Sequence, residues 1–256
     1  MRRLVVIILA ALIPAISFAW GPKGHDIVAY VAEQHLSKRA KRNVEQALGG
    51  YSMVYVANWM DNARHTDEYD HTKTWHYVNV DPEEGSYLRS QKEGKGDVVT
   101  AVNDIVKSLK CDVLTPEQER VQLMMLIHLV GDMHCPAHIK YTTHNMKYYA
   151  FMPGDKKSTY VHTIWDKLAI QETRIYSATE WALILDIVDR KTAKEIAAGT
   201  PREWLHDSAV RCEMQFDILK PDQKVDQDFF NVAMPLIETQ ILYAGYRLAA
   251  VLNGLF

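Results

Sequence analysis

Histidine and aspartate recur at spacings that bring them together on helix faces. His128 and Asp132 are four residues apart, and His162 and Asp166 repeat that spacing, which makes each pair neighbours on a helix. Imidazole and carboxylate are the groups with which proteins hold zinc, three or four per ion. His128 and Asp132 also lie in the otherwise apolar segment 124–133, where burying a polar pair is costly without compensation. The pairs therefore indicate either a metal site or buried His–Asp hydrogen bonds.

The candidate ligands outnumber the needs of one ion. They are His25, Asp61, His76, His128, Asp132, His138, His162 and Asp166. His134 and His138 imitate a further zinc-binding face, but Pro136 lies between them, so we expect His134 to be a core residue. A single His-x-x-x-Asp pair occurs by chance in a chain of this length. The residues alone leave two interpretations open: a metal cluster, or a helical bundle with buried His–Asp pairs and no metal.

The first 19 residues have the form of an export signal. A charged start, Met1-Arg2-Arg3, precedes the apolar segment 4–16, and a small-x-small cleavage site ends at Ala19. We therefore expect a signal peptide over 1–19 and a secreted or periplasmic mature chain over 20–256. Since no later segment reaches the roughly 20 apolar residues of a membrane span, we expect no membrane association.

Cleavage after Ala19 would make Trp20 the first residue of the mature chain. A free α-amine and a carbonyl on one residue can chelate a metal in a five-membered ring, and His25 follows closely enough to complete such a site. The alternative is that Trp20 is an ordinary aromatic residue after a cleavage site. The N-terminal segment alone leaves both interpretations open.

Composition limits the class of protein. The formal net charge is −3, and removing Arg2 and Arg3 with the leader makes it −5. This acidity argues against a protein that binds nucleic acid through a broad basic face, but not against an enzyme whose metals supply positive charge. Three cysteines allow at most one internal disulfide. The mature length suits one domain, and we expect a monomer.

Helical periodicity runs through nearly the whole mature chain. Apolar spacing and capping residues predict helices over 25–47, 52–64, 97–109, 115–133, 162–175, 178–187, 191–198, 201–216 and 227–253. Strand signals occur only at 75–80 and 146–151, where we expect a small hairpin. The patterns predict an all-α fold, a single mainly helical domain with long functional loops at about 65–95 and 139–161.

Five motifs, taken in order, resemble those of the S1/P1 nuclease family, which shares its fold with zinc-dependent phospholipase C. They are Trp20-Gly-x-x-Gly-His25, Trp59-x-Asp61-x-x-Arg64, Trp75-His76-Tyr77-x-Asn79, His128-x-x-Gly-Asp132-x-His134-x-Pro136-x-His138 and His162-x-x-Trp165-Asp166. Each motif is weak alone, but their order behind a cleavable leader is specific. The resemblance covers essentially the whole mature chain.

The resemblance implies three zinc ions. The first would be held by Asp61, His76, His128 and Asp132. The second would be held by the amine and carbonyl of Trp20, His25 and the other oxygen of Asp132. The third would be held by His138, His162 and Asp166. Such an enzyme hydrolyses single-stranded RNA or DNA to 5′-phosphorylated products, and 3′-nucleotidase activity is a further expectation.

By the same resemblance, two groups of residues contact the substrate. Arg64 would join Asp61 at the catalytic centre and bind the phosphate, with a surface salt bridge as the alternative. Tyr77 and Asn79 would stack on and hydrogen-bond a nucleobase, with simple packing as the alternative for Tyr77.

Two other functions stay open. One is a phospholipase C on the same fold, although those enzymes end in His-x-x-x-Glu where this chain has His162-x-x-x-Asp166. The other is a non-catalytic exported protein that binds zinc or nucleotides.

The chain departs from the family pattern at three places. Tyr141-Thr-Thr-His144-Asn145 replaces a glycine-containing loop, and His144 is either solvated or in contact with substrate. Tyr160-Val161 replaces Asn-Leu before the last histidine. Cys135 replaces a glutamine, and we expect it to be a buried spacer rather than a ligand.

Overall fold

The computed structural model describes residues 20–81, 94–111 and 113–256. The proposed leader and part of the predicted loop 65–95 lie outside these described residues. The α-helices are α1 Pro22–Gln34, α2 Lys38–Ala47, α3 Met53–Val56, α4 Trp59–Ala63, α5 Val98–Leu109, α6 Pro116–Asp132, α7 Val161–Thr163, α8 Ala169–Thr173, α9 Ala178–Leu185, α10 Arg190–Ala197, α11 Pro201–Cys212, α12 Gln215–Ile218 and α13 Gln227–Leu255. The fold is mainly helical, as the sequence predicts.

Short elements connect these helices. A 3₁₀ helix covers Asp70–His76, another covers Pro136–His138, and a π-helical turn covers Ile164–Leu168. The strands are β1 Val78–Val80, β2 Ile139–Tyr141, β3 Tyr149–Ala150 and β4 Thr159–Tyr160. No helix among the described residues combines the length and the apolar character that crossing a bilayer requires.

Helices α1 and α13 pack closely at the centre of the molecule. A Cβ atom added to Gly245 of α13 would lie 2.6 Å from Cγ1 of Val31 in α1, so only glycine allows this approach. Ile27, Val28 and Val31 of α1 are fully buried. The same buried side of α1 carries His25, which is thereby held inside the core.

Helix α6 crosses the core with its C-terminal part fully buried. It begins with a capping box, in which Thr115 and Gln118 satisfy each other's backbone N–H groups, and with Pro116 in the first turn. All residues from Leu123 to Asp132 are buried. The predicted start and end of this helix are confirmed.

The predicted helix over 25–47 is instead two helices. Ser37 caps α2 by accepting a hydrogen bond from the Ala40 N–H. Asn253, near the end of α13, accepts a bond from the Ser37 N–H at 2.7 Å and donates one to the His35 carbonyl at 3.0 Å. A side chain from the far end of the chain thus satisfies the backbone groups that the break exposes. The predicted helices over 52–64 and 201–216 are also divided. The predicted helix over 162–175 is one continuous helical stretch that contains the π-helical turn.

The strands pair differently from the predicted hairpin. β1 pairs with β2 in parallel, with Val78 opposite Ile139, and β3 pairs with β4 in antiparallel. A hairpin between 75–80 and 146–151 is therefore wrong. Because β1 follows His76 and β2 follows His138, the parallel pair holds these two histidines side by side.

Candidate metal centre

Helix α6 supplies two adjacent polar side chains to the core. His128 Nδ1 donates to the Ala57 carbonyl at 2.7 Å, which fixes the ring and turns Nε2 toward the other polar side chains. That Nε2 lies 3.3 Å from Asp132 Oδ2 and 3.6 Å from Asp61 Oδ1. Both side chains of α6 are fully buried.

His76 completes a four-residue group with Asp61, His128 and Asp132, here termed the first cluster. Its Nδ1 lies 2.8 Å from Asp132 Oδ2, 3.2 Å from His128 Nε2 and 3.8 Å from Asp61 Oδ1. Ligand atoms of a tetrahedral zinc site are separated by roughly 3–4 Å, given bonds of about 2 Å. The predicted first zinc site is therefore brought together in one place.

His25 lies against the other oxygen of Asp132, and Trp20 is buried nearby beside Gly131. These three residues, Trp20, His25 and Asp132, are termed the second cluster. His25 Nε2 is 3.3 Å from Asp132 Oδ1. A Cβ atom on Gly131 would lie 2.8 Å from His25 Nδ1, and one on Gly24 would lie 2.9 Å from the Trp20 Cβ. Gly24 of α1 and Gly131 of α6 thus leave room for the side chains of Trp20 and His25. Trp20 is fully buried.

His138, His162 and Asp166 form the third cluster. His138 Nε2 lies 3.8 Å from Asp166 Oδ1, and His162 Nε2 lies 3.9 Å from Asp166 Oδ2. His138 Nδ1 donates to the His76 carbonyl, so Nε2 is the ring nitrogen that faces Asp166. The π-helical turn widens the backbone between His162 and Asp166, and such turns are frequent at functional sites. The Gly21 N–H also donates to the Asp166 carbonyl at 2.8 Å, which links this cluster to the N-terminal segment.

Several buried atoms of these clusters have no hydrogen-bond partner among the described residues. They are both nitrogens of His25, Oδ1 of Asp61, Oδ1 of Asp132 and Nε2 of His76. His25 Nε2 and Asp132 Oδ1 are close, yet they are not aligned for a hydrogen bond. Unpaired buried polar atoms are rare and costly. Their convergence fits metal cations, with imidazole and carboxylate as the donor set.

The electrostatics also favour bound cations. Burial, together with the charges of Asp61 and Asp132, raises the pKa of Asp166 well above its ordinary value. Burial lowers the pKa of His128, but the Asp132 and Asp61 carboxylates outweigh it and raise that pKa to about 10. Three carboxylates are thus gathered in a buried space with too little positive charge, and divalent cations would supply it.

A cleft of about 1080 Å³ lies beside the first and third clusters. Its lining includes His76, His138 and His162 from the clusters, together with Arg64, His65, Lys73, Tyr77, Lys140, Tyr141, His144, Asn145, Met146, Lys147, Tyr149 and Tyr160. A second cavity of about 530 Å³ lies between α5 and α6, and no cluster residue lines it within the described chain. The cleft, which has metal ligands in its wall, is therefore the candidate active site.

Arg64 lies in the cleft wall rather than on the outer surface. Its side chain is only 6% exposed, and Nη2 is 3.3 Å from Asp61 Oδ1. The contact holds the guanidinium beside the first cluster. Its position differs from that of an ordinary surface salt bridge, and it suits an anion bound in the cleft.

Tyr77 immediately precedes β1, and Asn79 is the middle residue of that strand. The Lys140 ammonium lies 2.9 Å from the centroid of the Tyr77 ring, and Lys140 is opposite Asn79 in the β1–β2 pair. One face of the ring thus carries a cation, a contact that the sequence analysis missed. No sequence signal indicated it, because it depends on the parallel strand pair.

The altered loop contributes an aromatic wall to the cleft. His144 stacks on Phe216 with ring centroids 4.0 Å apart, so it is a packed side chain rather than a solvated one. Tyr160 lies parallel to His162 at 6.0 Å and beside Tyr149 at 5.5 Å. The sequence of the loop is unusual for the family, but it gives no sign of this wall.

Two further residues near the clusters were assigned structural roles from sequence. His134 is in the core, with Nδ1 donating to the Val130 carbonyl and Nε2 accepting from Arg247, as expected. Cys135 is buried, but its Sγ lies 3.7 Å from Asp166 Oδ1, closer to the third cluster than a spacer requires. All three cysteines are free thiols.

Comparison with known proteins agrees with this geometry. A family model described as S1/P1 nuclease matches residues 20–256. Endonuclease 1 of Arabidopsis thaliana is 22% identical, covering 99% of this chain and 93% of the relative. Nuclease S1 of Aspergillus oryzae is 24% identical over 99% and 98%, and nuclease P1 of Penicillium citrinum is 25% identical over 91% and 97%. Because the family match spans most of the chain and contains all three clusters, the chain belongs to the S1/P1 nuclease family.

Proposed function

We propose that this protein is an exported zinc-dependent phosphodiesterase. It hydrolyses single-stranded RNA or DNA to 5′-phosphorylated products and acts on 3′-nucleotides as well. Family membership and the nuclease names of its relatives support the reaction class. One observation carries the proposal further. Buried carboxylate and imidazole atoms without hydrogen-bond partners converge beside a cleft whose wall includes His76, His138 and His162.

Three zinc ions are proposed, one for each cluster. Asp61, His76, His128 and one oxygen of Asp132 would hold the first, and Trp20, His25 and the other Asp132 oxygen the second. His138, His162 and Asp166 would hold the third. When bound, such ions supply Lewis acidity toward a phosphoryl group and a water molecule. The donor set is imidazole and carboxylate, which suits zinc.

The protein's own residues would then bind and orient the substrate. The Arg64 guanidinium can donate to phosphoryl oxygens, and its contact with Asp61 Oδ1 fixes its position. Tyr77 offers an aromatic ring at the edge of the same cleft, and Lys140 above it offers positive charge. An aromatic ring stacks on any base, so this arrangement suits a sequence-tolerant enzyme that acts on unpaired bases.

Export is part of the proposal because Trp20 requires it. Cleavage after Ala19 by a signal peptidase would both release the mature chain and create the free amine of the second cluster. The burial of Trp20 beside His25 supports this role, since an amine at that position would face the unpartnered atoms of His25 and Asp132.

Product analysis tests the proposed function. The mature chain is incubated with single-stranded and duplex oligonucleotides, first after chelator treatment and then after zinc is restored. We expect cleavage of the single strand only, 5′-phosphate ends, loss of activity with chelator and recovery with zinc. Cleavage of phosphatidylcholine in place of oligonucleotides would instead identify a phospholipase. Three bound zinc ions without turnover of any phosphodiester would identify a binding protein.

A further inference from the structure

A thiol lies at the edge of the third cluster, where the sequence analysis expects only a spacer. The Cys135 Sγ atom is 3.7 Å from Asp166 Oδ1. Cys135, His138 and Asp166 each offer one ligand atom, and these atoms all lie within 4.8 Å of one another. Cys135 is fully buried. The thiol therefore shares a dry space with two residues of the third cluster.

The spacing of the three atoms matches that of ligands on one ion. Asp166 Oδ1 is 3.7 Å from Cys135 Sγ and 3.8 Å from His138 Nε2. With these two separations, and a third no longer than 4.8 Å, a point equidistant from all three atoms is no more than about 2.4 Å from each. Zinc bonds to sulfur at about 2.3 Å and to nitrogen or oxygen at about 2.0–2.2 Å. One ion can therefore contact all three residues with little movement.

The remaining ring nitrogen of His138 does not compete for this ion, because it donates to the His76 carbonyl. His162 approaches Asp166 from the other carboxylate oxygen, Oδ2. The thiol and His162 thus lie at opposite oxygens of Asp166. Three protein ligands would leave a tetrahedral set incomplete, and the thiol is a further donor beside Asp166.

We propose that Cys135 is a fourth protein ligand of the third metal site, binding as a thiolate. The inference rests on the proposed function, because it requires the third ion. On metal binding, the S–H bond breaks, a metal–sulfur bond forms and the proton passes to solvent. Cys135 and Asp166 then balance the charge of a divalent cation. Thiolate is a soft ligand, so this site prefers Zn²⁺, Co²⁺ or Cd²⁺ over harder ions.

Cobalt substitution tests the inference with a readout other than activity. The mature protein is stripped of metal and reloaded with Co²⁺, and its absorption spectrum and cobalt content are measured on the same sample. Sulfur bound to Co²⁺ gives an intense charge-transfer band in the near ultraviolet, which nitrogen and oxygen ligands lack. We expect this band in the wild type, its loss in Cys135→Ser and its retention in Cys212→Ser. Cys212 is the matched control because it is also a buried free cysteine.

Two results would overturn the inference. One is a fully cobalt-loaded wild type without the band, and the other is a band that persists in Cys135→Ser. If Cys135→Ser does not fold, ¹¹³Cd NMR of the wild type decides. We expect one of the three resonances in the range of sulfur-ligated cadmium, and three resonances in the nitrogen and oxygen range would refute it. An active, three-metal enzyme without sulfur ligation refutes only this inference, whereas an enzyme that binds no metal refutes the proposed function.

Discussion

The Nδ1 atom of His76 lies 2.8 Å from Oδ2 of Asp132, although 56 positions separate the two residues in the sequence. Asp132 Oδ1, on the other side of the carboxylate, faces His25 at 3.3 Å. One carboxylate on α6 thus lies between two groups of ligands that come from different parts of the chain. Asp132 is therefore the residue on which the first and second clusters both depend.

Replacing Asp132 should remove two ions at once. In Asp132→Asn, the amide nitrogen takes the place of one oxygen, so the side chain cannot bridge two cations. We expect the zinc content to fall from three ions to one and kcat/KM to fall by at least about 10³-fold, because two Lewis acids are lost. Metal analysis and oligonucleotide cleavage check this. The exposed Asp67→Asn serves as control, and an Asp132→Asn protein with three zinc ions would rule out the bridging role.

An uncleaved or extended N-terminus should disable the second cluster. One alanine added before Trp20 converts the amine into an amide, which is a much poorer metal ligand. We expect one zinc ion fewer and loss of nuclease activity, with an unchanged far-ultraviolet circular dichroism spectrum because the core is intact. A matched chain that begins at Trp20 is the control. Full activity and three zinc ions in the extended chain would show that Trp20 is not a metal ligand.

The elements that the sequence predicts well are those with local signals. Helix α6 begins at a capping box and stops before Pro136, and both features are visible within a few residues. The break between α1 and α2 has one local signal, the N-cap residue Ser37, but its exposed backbone groups are satisfied by Asn253, which is far away in the sequence. Propensity and periodicity carry no information about such a partner.

The site was predictable in composition but not in all its contacts. The candidate ligands are recognisable by residue type and motif order, and the structure gathers them into three clusters. The parallel pair β1–β2 was missed because three-residue strands show no readable alternation. That pair places His138 beside His76 and Lys140 over Tyr77. Likewise, the contact of Cys135 with Asp166 joins residues 31 positions apart and could not be read from spacing.

Arg64 should affect catalysis without affecting metal binding. It touches Asp61 and faces the cleft, so in Arg64→Gln the clusters keep their ligands while the phosphate loses a charged, forked donor. We expect kcat to fall about 10²–10³-fold, comparable to the loss of one oxyanion donor, with three zinc ions retained. Arg39→Gln, on an exposed side chain, is the matched control. A wild-type kcat in Arg64→Gln would show that Arg64 has a structural role and not a catalytic one.

Tyr77 should contribute to substrate binding through its ring. In Tyr77→Ala the stacking surface is lost, and stacking of one base on an aromatic ring is worth about 1–3 kcal/mol. We expect KM for a single-stranded oligonucleotide to rise about 10-fold, with a smaller change in kcat. Tyr77→Phe keeps the ring and should retain a KM close to that of the wild type. An equal loss in both variants would show that the hydroxyl, and not stacking, matters.

The pH dependence of stability should reveal the buried His134. Burial and the charge of Arg247 lower the pKa of His134 to about 3, against 6.5 for the free side chain. The folded protein thus keeps this ring neutral while the unfolded chain takes up a proton. The stability that depends on the neutral ring is fully present above about pH 6.5 and is lost as pH falls toward about pH 3, by about 1.4 kcal/mol per unit.

A neutral substitute should remove this dependence. In His134→Gln, the amide can donate to the Val130 carbonyl and accept from Arg247, as the ring does, but it cannot be protonated. We compare the free energy of unfolding of the variant with that of the wild type. The difference, variant minus wild type, should rise by about 2 kcal/mol when the pH is lowered from about 7 to about 5. Denaturant unfolding of both zinc-saturated proteins at the two pH values measures the difference, and their shared metal clusters cancel in it. A difference that stays constant with pH would mean that His134 is protonated in the folded protein, contrary to its contact with the Arg247 guanidinium.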